Sequence, residues 1–161
     1  MLFDFLKTAG QKLFGGVEHK AAEAAPETGL GNVDDMVNTM KADLLKTSLE
    51  GMGLGLTDIV VTVAGDAVTL EGHAATQADK EKASLTVGNV EGIATVDNQM
   101  TVEEEVESEA RTYEVQSGDS LWKVAAHMYS DGNRYNDIFE ANQPMLVKPE
   151  LIYPGQLLRI P

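Results

Sequence analysis

The chain has 161 residues, room for one ordinary domain or two small ones. Its 12 Lys+Arg against 26 Asp+Glu leave a formal charge of −14, which repels nucleic-acid phosphates and anionic lipid, so neither is expected as a partner. Cys is absent, which excludes a disulfide framework, thiolate metal sites and Cys nucleophiles.

At the start, Leu2, Leu6, Ala9 and Leu13 recur at i, i+4, i+7 and i+11, with Phe3, Phe5, Phe14 and Val17 near that stripe, and predict a short amphipathic helix. Its apolar face needs a partner: the body of the protein, another subunit or a membrane surface. Asp4 and Lys7 interrupt the apolar run, so the segment is expected to be neither a signal peptide nor a membrane span. No other stretch approaches the roughly 18 apolar residues that a crossing helix needs, and the expected location is the cytoplasm. Residues 18–32, mixing Ala, Glu, Pro and Gly, read as a tether, which completes an N-terminal region of 1–32.

From residue 33 the pattern sharpens. Val33, Met36, Val37, Met40 and Leu44 mark one helical face, Asp34 and Asp35 sit in the first turn, and Gly51, Gly53 and Gly55 end the helix. IVVTVAGDAVTLEG then holds two β-rich runs around Gly65-Asp66, a pair suited to a tight hairpin turn, with Ile59, Val61, Val63, Val68 and Leu70 on one face. Thr76, three residues before Asp79, caps a helix whose inner face is Ala83, Val87 and Val90, and Gly88 and Gly92 stop it. Alternation over Ala94, Val96, Asn98, Met100 and Val102 predicts a strand. This order of helix, strand, strand, helix and strand over 33–102, with Val68-Thr69-Leu70-Glu71-Gly72 and Gly92-Ile93-Ala94-Thr95-Val96-Asp97-Asn98, resembles the BON domain. The resemblance implies an association with phospholipid at the bacterial envelope, which the acidic charge does not favour.

Residues 103–111 concentrate five glutamates at 103, 104, 105, 107 and 109 and read as a solvated linker. From residue 112, Tyr113-x-Val115-x-x-Gly118-Asp119-Ser120-Leu121, then Ile138, Asn142 and Ile152-Tyr153-Pro154-Gly155-Gln156-x-Leu158-x-Ile160-Pro161, is similar to the LysM domain. Gly118-Asp119 turns out of a strand, Ser120 caps a helix and Pro154-Gly155 turns into a last strand, a β-α-α-β unit over 112–161. The resemblance implies binding of N-acetylglucosamine polymers such as peptidoglycan in a shallow groove. Leu121, Trp122, Tyr129, Gly132 and Asn133 lie in the two segments that would line it, Trp122 serving either as a stacking platform or as packing.

Chemistry of other kinds has little footing. His19, His73 and His127 show no zinc-ligand spacing, GxSxG, GxxxxGK[ST] and GxGxxG do not occur, and Ser120 is explained by capping, so no enzyme is expected. The fold class expected is α+β: a short N-terminal amphipathic helix, a BON-type α-β-β-α-β module and a LysM β-α-α-β module, the last folding independently.

Taken with Phe3-x-Phe5, Ala9-Gly10-x-Lys12-Leu13, Val87-Gly88-Asn89-Val90-Glu91-Gly92-Ile93-Ala94 and Ile138-Phe139-Glu140-Ala141-Asn142-x-Pro144-Met145-Leu146, the whole arrangement resembles the Kbp family of bacterial cytoplasmic potassium-binding proteins. That resemblance implies a monomeric K⁺ sensor or buffer, active in bacterial stress response, which changes conformation on binding the ion. Given K⁺, the chemistry narrows the place, because selective sites use neutral main-chain carbonyls whereas carboxylate clusters favour Ca²⁺ or Mg²⁺. Carbonyls are free at helix C-termini, and the stretch of Gly88, Val90, Gly92 and Ile93 is one. Leu6 and Ala9, just before the break at Gly10, are expected to complete the shell. A peptidoglycan-binding LysM protein of the cell envelope is the alternative, and a structural adaptor the third reading.

Overall fold

A computed structural model describes residues 2–4 by their main chain and residues 12–17, 33–103 and 109–161 with their side chains. The first unit runs β1 (Leu2–Asp4), α1 (Val33–Gly51), β2 (Leu56–Ala64), β3 (Ala67–Ala74), α2 (Gln77–Gly88), β4 (Thr95–Asn98) and β5 (Thr101–Val102). Its sheet has the order β1-β4-β3-β2 with β5 beside β3. β2–β3 and β1–β4 are antiparallel, whereas β3 runs parallel to β4 and β5. The second unit runs β6 (Arg111–Glu114), α3 (Leu121–Tyr129), a 3₁₀ turn (Gly132–Arg134), α4 (Tyr135–Ala141) and β7 (Leu157–Ile160), with β6 and β7 antiparallel. The architecture is α+β, in the module order read from the sequence.

Local signals act where they were read. The two-residue turn at Gly65-Asp66 pairs Ala64 with Ala67, and Gly65 takes the positive φ of +67° that such a turn requires. The Thr76 hydroxyl accepts from the Asp79 N–H at 3.1 Å, and the Ser120 hydroxyl from the Lys123 N–H at 3.3 Å, each satisfying an N–H that the first helical turn leaves orphaned.

Three expectations are corrected. Leu2–Asp4 is not the start of a helix: it is an edge strand whose Phe3 lies opposite Val96, and Lys12–Phe14 is not helical either. An apolar run this short fits either period, and pairing with β4 decides it. On α1 the middle of the expected face is covered, with Val37 buried and Met36 and Met40 packed beside it, but Val33 and Leu44 at its ends are exposed and Leu45 and Leu49 are buried instead. The strand expected over 94–102 breaks after Asn98, where the Met100 N–H donates to Asn98 Oδ1 before β5 resumes beside β3.

Two cores result, and α2 belongs to both. Ala83 and Val87 join Leu45, Ile59, Leu70, Val96 and Met100 under the first sheet, while Leu85 sits among Val115, Leu121, Ile138, Leu158 and Ile160 of the second unit. The residues at four-residue spacing, Gln77, Glu81, Leu85 and Asn89, form a buried ridge whose Glu81, Leu85 and Asn89 meet the second unit, Gln77 bonding to Glu81. The two units therefore share a packed seam, against the expectation of independent modules on a charged tether. Even at the described end of that tether, the Ala110 N–H donates to Glu81 Oε1.

Candidate functional site

The chain leaves α2 through a tight turn that serves both units. The Asn89 N–H closes on Leu85 O at 3.0 Å, the Val90 N–H on Val87 O at 3.1 Å and the Ile93 N–H on Val90 O at 3.2 Å. Ala94 then enters the sheet, its N–H donating to Asp66 O at 2.8 Å. Gly92 sits at φ +92°, a conformation that L side chains rarely adopt. Val90 and Ile93 anchor the turn in the first core. The carbonyls of Gly88 and Gly92 accept no hydrogen bond from another described residue, and the helix places its negative end there.

The N-terminal segment reaches the same place. Phe14 and Leu13 pack against the first core, Phe14 lies beside Gly92, and Lys41 sits over the Phe14 ring at 5.3 Å. Lys12, Phe14, Lys41, Glu91 and Gly92 line a surface cleft of about 350 Å³. Leu6 and Ala9 lie outside the described residues, between β1, which pairs with β4, and this segment. Among the described residues no three His, Cys, Asp or Glu side chains come together as a metal-holding group.

The turn is also latched to the second unit, through side chains to which the sequence reading gives no role. Asn89 Nδ2 donates to Leu157 O and the Leu157 N–H donates to Asn89 Oδ1, both at 2.9 Å, so the carboxamide pairs with β7 as a strand residue would. The Tyr153 hydroxyl donates to the Asn89 main-chain oxygen at 3.0 Å, and burial pushes its pKa up to about 12. Two ridge positions away, Arg159 Nε meets Glu81 Oε2 at 2.6 Å with both side chains largely buried, and Gln77 Nε2 donates to Glu81 Oε1. The signal for this latch is the four-residue spacing itself, but a ridge that reads Gln, Glu, Leu, Asn looks like a solvated face.

The groove residues of the second unit divide. Leu121 is buried in the core, and Tyr129 donates its hydroxyl to Pro161 O at 3.1 Å while Arg134 stacks on its ring at 4.0 Å. Asn133 is held by Asp131, which accepts from its N–H at 2.9 Å. Trp122 is 55% exposed and lies flat against Gly132, where a Cβ would fall inside the indole.

Comparison with known proteins sets this geometry in context. The BON domain family matches residues 40–104 and the LysM domain family residues 113–161. The chain is 38% identical over 163 aligned positions to the potassium binding protein Kbp of Escherichia coli O6:H1, covering 99% of this chain and 97% of that one. An uncharacterized protein of Deinococcus radiodurans is 29% identical over 84% of this chain, which spans 57% of that protein's length. The uncharacterized protein YqbP of Bacillus subtilis is 33% identical over 63 residues.

Proposed function

This chain belongs to the Kbp family, and on that premise we propose that it is a K⁺-binding protein of the bacterial cytoplasm, a sensor or buffer and not an enzyme. The ion is held by main-chain carbonyls of Gly88, Val90, Gly92 and Ile93, with Leu6 and Ala9 completing the shell. The observation that carries this reading is the turn after α2, where a helix C-terminus, a glycine at positive φ and the unengaged carbonyls of Gly88 and Gly92 meet the docked N-terminal segment. A large, weakly hydrated cation suits neutral carbonyls and a helix dipole, and needs no carboxylate cluster.

The conformational response follows from the same turn. Asn89 stands between Gly88 and Val90 and grips β7, so drawing the carbonyls around an ion also fixes the residue that holds the second unit. An ion that binds only the docked state stabilises docking by mass action. Isothermal titration with K⁺, Na⁺ and Mg²⁺ tests the reading: saturable heat with K⁺ and none with Mg²⁺ supports it, and equal responses refute it.

A second reading has one observation in its favour. The exposed Trp122 on Gly132 is a rigid stacking platform for a sugar face, which favours a LysM-type contact with peptidoglycan. Retention on purified peptidoglycan that soluble chitin fragments compete away would establish it. Among the described residues no helix is long and apolar enough to cross a membrane.

A further inference from the structure

We infer that the outer edge of β2, beside α1, docks an extended basic segment of a partner protein by strand addition, a role separate from ion binding. β2 is the terminal strand of its sheet. In a two-residue hairpin the pair flanking the turn exchanges both hydrogen bonds, and bonded and non-bonded pairs then alternate. With Ala64 opposite Ala67, Thr62 opposite Thr69 and Val60 opposite Glu71, the main-chain groups of Val61 and Val63 point away from β3. No other described residue bonds to them.

The open stretch is bounded on both sides. Toward the turn, Asn38 Oδ1 of α1 accepts from the outward N–H of Gly65 at 3.2 Å. In the other direction the ladder shifts between Thr57 and Val60, where Asp58 takes φ +53°, and such an irregularity blunts an edge. Between these protected ends lies a groove of about 340 Å³ lined by Asp35, Asn38, Ala42, Asp43, Val61 and Val63. An edge strand with a groove against a helix is the geometry in which main-chain hydrogen bonds supply affinity and alternate side chains supply specificity.

Charge selects the occupant. Asp35 and Asp43 are exposed on α1 and flank the groove. Eight helical residues span about 12 Å, close to the roughly 13 Å between strand residues i and i+4. A strand laid on Val61 and Val63 therefore presents i and i+4 to the two carboxylates and i+2 to Thr39, which lies midway between them in the same groove. The segment that fits reads basic, any, small apolar, any, basic. A second copy of this chain does not fit, because edge-to-edge pairing would bring these carboxylates toward their counterparts on two bodies of charge −14.

The test uses the full-length ¹⁵N-labelled protein and the capped peptide Thr-Lys-Val-Ala-Val-Lys-Thr. We expect saturable shift changes over residues 60–64 and 35–43, slowed exchange of the Val61 and Val63 amides, and binding about tenfold weaker in Asp35→Asn/Asp43→Asn. A peptide of equal charge with Val-Ala-Val replaced by Pro-Pro-Pro, which has no N–H to offer β2 in either strand direction, should not bind. Val61→Pro, which removes an outward N–H and leaves the β2–β3 ladder, should abolish binding; the carboxylate variant and the Pro peptide decide the matter if it does not fold. Equal binding of the Pro peptide, shifts spread over the acidic surface, protection of these amides without peptide, or a dimer by sedimentation would each overturn the inference.

Discussion

The side chain of Asn89 pairs with Leu157 through both of that residue's main-chain groups, N–H and C=O, so a residue of the first unit completes the edge of the second unit's last strand. Asn142 does the same from within the second unit, accepting from the Arg159 N–H and donating to Arg159 O, both at 2.8 Å. Two carboxamides thus occupy successive positions along one edge of β7. Asn89→Ala leaves the half-buried N–H and C=O of Leu157 without partners, at about 1–3 kcal/mol for each group left dry. Urea unfolding should show a loss of about 2–3 kcal/mol, whereas Asn133→Ala, at the exposed turn, should cost well under 1 kcal/mol.

The Glu81–Arg159 pair lies at the same seam, with side chains 5% and 13% exposed. Breaking one partner of a buried pair strands the other charge, at about 3–5 kcal/mol, while replacing both costs much less. Arg159→Met should therefore destabilise strongly, and Glu81→Gln/Arg159→Met should recover much of the loss. A double-mutant cycle by urea denaturation checks this, and additive losses would show that the pair contributes nothing specific.

Tyr153 provides a signature of the seam at high pH. Its folded pKa of about 12 lies above the ordinary value of 10, so the folded state holds the proton more tightly. Its contribution is complete below pH 10 and is lost as the pH rises toward 12, because the unfolded chain ionises first. Stability measured from pH 9 to 12 should fall less steeply in Tyr153→Phe than in the parent. Tyr113, whose pKa is also raised through its hydrogen bond to Asp119, remains in both proteins and cancels in the comparison.

The sequence made legible whatever is decided within a few residues. The Gly65-Asp66 turn, the Thr76 and Ser120 caps and the Pro154-Gly155 bend each depend on three to five neighbours and were read in place. What depends on a distant partner was not. Leu2–Asp4 is a strand only because β4 lies beside it, and Leu85 is a core residue of a unit that begins beyond the glutamate run. The carbonyl turn was visible from its glycines, whereas Asn89, the most connected residue in it, was not: a polar residue after a helix carries no mark of the strand it will meet.

Gly132→Ala probes the platform beneath Trp122. The added methyl would fall inside the indole, so the ring must swing away, at about 1–3 kcal/mol of stability. In a Trp122→Ala background the same substitution should be nearly neutral. Thermal unfolding of the four proteins distinguishes this from a backbone effect, which would appear equally in both backgrounds.

Removing residues 1–13 should eliminate the K⁺ response, because a millimolar site holds only about 4 kcal/mol and cannot lose an anchoring segment. Gly92→Pro should weaken it severely, since proline cannot adopt φ +92°. Unchanged titration of the truncated protein would move the ion elsewhere, most simply to the seam between the units.

The most direct test is a K⁺ titration of the ¹³C,¹⁵N-labelled full chain followed at its main-chain carbonyl carbons, with Na⁺ as the matched control. The account predicts saturable shifts concentrated at the carbonyls of Gly88, Val90, Gly92 and Ile93, together with those of Leu6 and Ala9, and much weaker changes with Na⁺. Saturation by K⁺ with those six carbonyls unmoved, or identical responses to the two ions, would contradict it.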